Sequence, residues 1–300
     1  MPFAGRVCGK DISLEQRSVM LNRRKFLKGI LATGLSLRNL NCLFKLPFGK
    51  AFIADDNITK PSPTIFRPRI KVFGIGNAGT NAVNRMVEEP IDGVEVVAVN
   101  TDIQVLDYSR ALSKIQIGSE VTGGRGAGAN PAIGRQAALQ DKDRLLRSIK
   151  TADIIFVVAG MGGGTGTGAA PVIADIAKEF GIPSIGVVTM PFDFEGRTRK
   201  IRAENGLNEL RRYTNTIVII SNDSIYSGRR DMRFITCMNI CDDYMKQAVQ
   251  SFAAVRGTGD SPAIDRNDIT AIIWTKGGNA AIGRGVGRIE ETDKGVVRHF

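Results

Sequence analysis

Five short runs dominated by valine and isoleucine recur along this chain with helical segments between them. They are RIKVFGIG from residue 69, VEVVAVNTD from 94, ADIIFVVAG from 152, IPSIGVVTMPF from 182 and TNTIVIISND from 214. Near-continuous apolar runs of strand length, rather than alternating ones, belong to strands buried on both faces, and helices between them make the sheet parallel. SKIQIG from residue 113 reads as a sixth, shorter strand. The intervening helices are NAVNRMVEE, AIGRQAALQDKDRLLRSIK, AAPVIADIAKEF stopped by Gly181, and TRKIRAENGLNELRRY. Asn130-Pro131 supplies an N-cap and a first-turn proline ahead of the second of these. The expected fold is α/β, a doubly wound parallel sheet with a long core helix over residues 231–256. The start of a second, incomplete α+β domain is expected over 257–300.

In such a sheet ligands sit beyond the carboxyl ends of the strands, and two of those ends are glycine-rich. Gly74-Ile75-Gly76-Asn77-Ala78-Gly79 matches the dinucleotide fingerprint G-x-G-x-x-G between a strand and a helix. Taken alone it also fits a nicotinamide-dependent enzyme, with Asp102 as the ribose-binding acid. The second loop, Gly162 to Gly168, holds five glycines and two threonines in seven positions. So many glycines lose much conformational entropy on ordering. Their expected use is to let backbone N–H groups, and the N-terminus of the helix that follows, approach an anion. A side chain at Gly166 is expected to occupy the phosphate's place. No G-x-x-x-x-G-K-[ST] occurs, so a P-loop lysine does not hold the phosphates.

The formal net charge is +11, but residues 1–69 carry 13 Lys and Arg against 4 Asp and Glu, while the remainder carries 28 against 26. The basic excess therefore lies in the N-terminal extension and the globular part is nearly neutral, which argues against a nucleic-acid partner. Within the extension, Asn22-Arg23-Arg24-Lys25-Phe26-Leu27-Lys28 followed by GILATGLSL resembles a twin-arginine export signal. Arg38 interrupts its apolar stretch, and a basic arm on an anionic membrane surface is the other reading. The chain has four cysteines and one histidine, which argues against a disulfide scaffold or a zinc site. Cys237 and Cys241, four apart, read as packing residues of a buried helix in a reducing compartment.

Taken together, NAVNRM, AVNTD, GAGANPAIGRQAA, AGMGGGTGTGAAPVIADIAKE, GVVTMPFDFEGRTR and IVIISND resemble the FtsZ/tubulin family of polymerising GTPases, in its order and spacing, from residue 69 to about 285. The resemblance implies a GTP-binding domain over 70–230, with GTP or GDP and Mg2+ as ligands. It implies a head-to-tail filament of identical subunits, or one mixed with a full-length FtsZ, serving division in the cytoplasm. Gly76, Asn77, Ala78, Gly79, Thr80 and Asn81 would form the first phosphate loop, with Asn81 also at the guanine edge. Gly163, Gly164, Thr165, Gly166 and Thr167 would bind the terminal phosphates. Glu195 and Arg199 would contact the ribose and nearby phosphate, although both are also ordinary charges for a loop-to-helix junction. Asn222 and Asp242 would complete the base and ribose contacts. A carboxylate accepts two N–H donors of guanine that adenine does not offer.

Hydrolysis in the family is completed by acidic residues of the next subunit. The corresponding stretch here is Ala263-Ile264-Asp265-Arg266-Asn267-Asp268. Asp265 and Asp268 keep the two carboxylates, as the catalytic pair acting in trans or as helix-capping residues. The family's asparagine and phenylalanine fall on Ala263 and Arg266, and its guanine-facing aromatic falls on Met238. These departures leave a second expectation, a weakly or non-hydrolysing homologue that regulates or co-polymerises with a full-length FtsZ.

Overall fold

The computed structural model describes residues 68–227 and 233–254 together with three short strands, at 278–280, 288–292 and 295–299. Six parallel strands carry the fold: β1 (Ile70–Ile75), β2 (Val94–Asn100), β3 (Ser113–Gln116), β4 (Ile154–Gly160), β5 (Ser184–Met190) and β6 (Thr216–Ser221). A seventh, β7 (Gly278–Ala280), pairs parallel with β6, and the sheet order is β3-β2-β1-β4-β5-β6-β7. β8 (Arg288–Thr292) and β9 (Gly295–His299) form an antiparallel pair of their own. The order reverses between β1 and β4, so the chain winds first to one side of β1 and then to the other, as the expected doubly wound fold requires.

The two faces of each strand go to different layers because strand side chains alternate. Phe73, Ile75, Val97, Val99, Ile155 and Val157 point to one layer. That layer holds α4 (Pro131–Gln140), α5 (Lys142–Ile149), α6 (Thr165–Glu179) and α7 (Arg197–Leu210). Val72, Ala98, Phe156, Val158, Ile185 and Val187 point to the other. There lie α1 (Gly76–Glu88), α2 (Ile103–Tyr108) and the long α9 (Phe234–Ala254). Two short helices, α3 (Ser119–Thr122) and α8 (Asn222–Ser227), sit at the strand ends. Within α9, Met245, Ala248 and Val249 are buried on the sheet, and Phe252 meets Phe156 edge-on at 5.6 Å. Cys237 and Cys241 are buried against Phe192, as packing residues should be.

Three element boundaries differ from the sequence expectation. The helix expected over 132–150 is broken at Asp141, whose φ of −103° and ψ of 25° leave the helical region. Its carboxylate accepts from the Gly118 N–H at 2.7 Å, so a contact made 23 residues away ends α4 and starts α5. Both glycine loops are also shorter than expected, because α1 begins at Gly76 and α6 at Thr165. Most of each motif therefore lies inside the first turns of a helix.

Candidate functional site

The carboxyl ends of β1, β2, β4, β5 and β6 open into one cleft of about 870 Å³. Of the helices that begin on its wall, three start beside the glycine loops and the turn after β5: α1 at Gly76, α6 at Thr165 and α7 at Arg197. None of the three has a side-chain N-cap, and none has an acidic residue in its first turn. α2 and α4 differ in being capped, Asp102 accepting from Gln104 N and Asn130 from Ala132 N, whereas α3 and α5 also begin without a side-chain cap. Unfilled first-turn N–H groups carry the positive end of each helix dipole, so the cleft is built for an anion.

The glycines divide into two groups. Gly162, with φ of +99°, turns the chain out of β4. The Gly162 N–H donates to Thr167 Oγ1 at 2.8 Å, closing the loop on itself. A Cβ on Gly166 would lie 2.6 Å from the Gly160 carbonyl oxygen, and one on Gly168 would lie 2.0 Å from that of Pro131. A Cβ on Gly134 would come within 2.3 Å of the Gly164 carbonyl oxygen. These residues are glycine so that α6 can lie against β4 and α4, and the Gly166 position points into backbone. The expectation that a side chain at Gly166 would fill the phosphate's place is therefore corrected: it would push the helix off the sheet. Gly74 and Gly79 are related cases, each blocking the other's Cβ where α1 crosses β1.

Of the residues named from the sequence, Gly76, Asn77, Ala78, Gly163, Gly164, Thr165, Gly166, Glu195, Arg199 and Asn222 line the cleft. Gly79, Thr80, Asn81, Thr167 and Asp242 do not. Thr167 holds the loop as described, and Thr80 is buried on the second turn of α1 with its hydroxyl unpartnered among the described residues. Thr165 Oγ1 lies 2.6 Å from Thr101 Oγ1, which pins the start of α6 to the end of β2. Glu195 is engaged within the chain at both oxygens: Oε1 accepts from Phe192 N at 2.8 Å and Oε2 faces Arg199 Nε at 2.9 Å. Asn222 is 6 % exposed, and its Oδ1 has no partner among the described residues, an acceptor left open on the cleft wall. Asp242 follows Met238 by one turn of α9 and is also 6 % exposed. Burial pushes its carboxyl up to about 7, with Arg85 opposing and Asp243 adding to the rise. Asp265 and Asp268 lie outside the described residues.

Further residues line the cleft, and most of them were not named from the sequence. Asn100 ends β2, with its Nδ2 donating to Asn77 Oδ1 at 3.1 Å, and two residues on lies Asp102, the acid that the dinucleotide fingerprint had offered for a ribose. The segment from Arg125 to Ala129 forms the opposite wall, and Ala129 is the one non-glycine with positive φ among the described residues. Phe234 lines the cleft together with Met238, one turn apart on α9. It packs on Phe192 with ring centroids 5.6 Å apart, which puts an aromatic face one turn before the position read as having lost one. Among the described residues no three His, Cys, Asp or Glu side chains come together to hold a metal.

Residues 69–229 match the model of the tubulin/FtsZ family, GTPase domain. The chain is 44 % identical over 226 residues to the cell division protein FtsZ of Buchnera aphidicola subsp. Baizongia pistaciae, covering 75 % of this chain and 58 % of that one. It is 38 % identical over 281 residues to the mitochondrial division protein fszB of Dictyostelium discoideum, covering 89 % of this chain and 76 % of the other. Among solved structures, an empty FtsZ dimer from M. jannaschii superposes with a TM-score of 0.68 at 36 % identity, over 72 % of this chain and 63 % of that one. The chain thus spans less than two thirds of the length of the Buchnera protein and of the M. jannaschii structure.

Proposed function

The chain belongs to the tubulin/FtsZ family, and from that premise we propose that it binds GTP and GDP in the cleft, hydrolyses GTP and assembles head to tail in a division apparatus. The observation that carries the nucleotide reading is the convergence of three uncapped helix N-termini on one cleft whose wall also holds the open acceptor of Asn222. The first supports a polyphosphate and the second a base or ribose donor. Asp242, with a carboxyl near neutrality, supports guanine over adenine, because two N–H donors on the guanine edge would draw it into its ionised form. Of the named residues that do not line the cleft, Gly79, Thr80 and Thr167 act in this reading by shaping the loops.

Mg2+ is the metal such a phosphate site would take, held mainly by phosphate and water with one or two protein carboxylates. The residues fit that modest demand. Asp102 lines the cleft and gives only Oδ1 to the Gln104 N–H. When bound, the ion would offset phosphate charge as the terminal bond breaks. Asp265 and Asp268 remain our proposal for the carboxylates that orient water in the neighbouring subunit's cleft. Self-association is supported by the dimeric M. jannaschii FtsZ structure, and division by the Buchnera and Dictyostelium relatives. For the basic residues 1–69 a membrane-surface arm is the proposal.

The test is competition. Labelled GDP bound to the full chain should be displaced by unlabelled GTP or GDP at far lower concentrations than by ATP or NAD. Equal displacement by ATP or NAD would remove the assignment.

A further inference from the structure

Four arginines line the cleft, Arg125, Arg197, Arg199 and Arg202. Arg199 pairs with Glu195, and Arg202 donates to the Ala129 carbonyl. Arg125 and Arg197 have no side-chain hydrogen bond or ion pair among the described residues. An unpartnered guanidinium on the wall of an anion cleft is a donor awaiting a ligand.

The position of Arg125 is fixed by its backbone. Residues 125 and 102 form an isolated antiparallel bridge, and Ile103 N donates to the Gly124 carbonyl at 3.1 Å. Arg125 N in turn donates to the Thr122 carbonyl at 3.2 Å. The loop is thereby fastened to the end of β2, and β2 is joined to the start of α6 through the Thr101–Thr165 hydroxyl contact. Sheet order then sets direction. The base-side features, Asn222 after β6 and Phe234 and Met238 on α9, lie at one end of the cleft. The glycine loops after β4 and β1 come next, and the β2 end with Arg125 lies beyond them. Four strand steps of roughly 4.8 Å separate β6 from β2, about 19 Å in all, which lays base, sugar and phosphates out in line.

We infer that Arg125 reads the terminal phosphate of the bound nucleotide, so that this chain distinguishes a nucleoside triphosphate from a diphosphate with a side chain of its own. The inference rests on the nucleotide reading above. A diphosphate with its base at the β6 end reaches the glycine loops and stops short of Arg125, whereas a triphosphate puts its last oxygens beside the guanidinium. Gly123, Gly124, Gly126 and Gly128, all with positive φ, surround Arg125 and leave its loop little side-chain packing to hold it away from the anion.

The experiment measures equilibrium binding of fluorescent GDP and of a fluorescent β,γ-imido GTP analogue to the full chain. Wild type, Arg125→Gln, Arg125→Lys and Arg197→Gln are compared. Arg125→Gln should weaken the triphosphate analogue about tenfold or more, the scale of a lost charged hydrogen bond, while GDP changes by less than about twofold. Arg125→Lys should recover part of the loss, since it keeps the charge and loses the fork. Equal weakening of both ligands, no weakening, or the same selective loss in Arg197→Gln would overturn the inference. Wild-type chain that binds neither ligand fails the nucleotide reading instead. Should Arg125→Gln fail to fold, the wild type still decides, because affinities for analogue and GDP that fall in parallel with added NaCl would exclude an extra ion pair on the terminal phosphate.

Discussion

Asp242 makes the stability of this protein depend on pH in a way that can be worked through. Its carboxyl rises from 3.8 to about 7 on folding, chiefly because burial disfavours the charge. A raised acid pKa means that the folded state holds the proton more tightly than the unfolded chain. The destabilisation is therefore absent below about pH 3.8, grows as pH rises, and is complete above about pH 7. A gap of three pKa units at about 1.4 kcal/mol each gives about 4 kcal/mol at pH 8, and about 1.5 of it is already present at pH 5. Asp242→Asn keeps the shape and removes the titration. Between pH 5 and pH 8 the wild type should lose about 2 to 3 kcal/mol more than the variant in urea unfolding followed by circular dichroism. Saturating GDP should reverse part of this, because guanine donors stabilise the ionised carboxylate. GDP affinity should accordingly weaken from pH 8 to pH 5.5 in the wild type and much less in the variant. Stability curves for the two proteins that run parallel across this range would refute the buried-acid argument.

Gly166→Val should cost several kcal/mol of stability, since its side chain meets the Gly160 carbonyl at 2.6 Å and the Ile75 carbonyl at 3.4 Å. A variant with wild-type melting behaviour that merely fails to bind nucleotide would restore the original reading, in which the side chain displaces the phosphate. For hydrolysis in trans, Asp268→Ala should bind GDP normally yet turn over GTP about a hundredfold more slowly. Mixing it with Asp242→Ala should recover some turnover, because one subunit supplies the intact acid loop and the other the intact cleft. Mixtures no more active than the separate variants would make Asp268 a helix cap.

The strands and their parallel arrangement were legible because burial on both faces leaves an unbroken apolar run, and local periodicity marks the helices between. RIKVFGIG, ADIIFVVAG and IPSIGVVTMPF each contain a strand of the sheet, and Asn130 caps its helix as its residue type and spacing imply. The two glycine loops likewise marked the cleft, since G-x-G-x-x-G and G-G-G-T-G-T-G at strand ends require an unusually close backbone approach.

What the sequence left open depends on contacts between distant segments. Asp141 reads as an ordinary helical residue until Gly118 is brought beside it, and the helix then breaks there. Glycine is one letter for several purposes. Only the packing of α4 and α6 on each other and on β4 shows that Gly134, Gly166 and Gly168 serve helix contact while Gly162 makes the turn. Glu195 looked like a ligand residue and is engaged by Phe192 N and Arg199; Phe234 and Arg125 carried no motif and line the cleft. Asp242 could be singled out from the family resemblance as a carboxylate, but its titration could not be read, because proton affinity is set by the burial that α9 acquires only when it packs across the sheet. Residue type and spacing specify which backbone a segment prefers, whereas the chemistry of each side chain is fixed by neighbours that only the folded chain supplies.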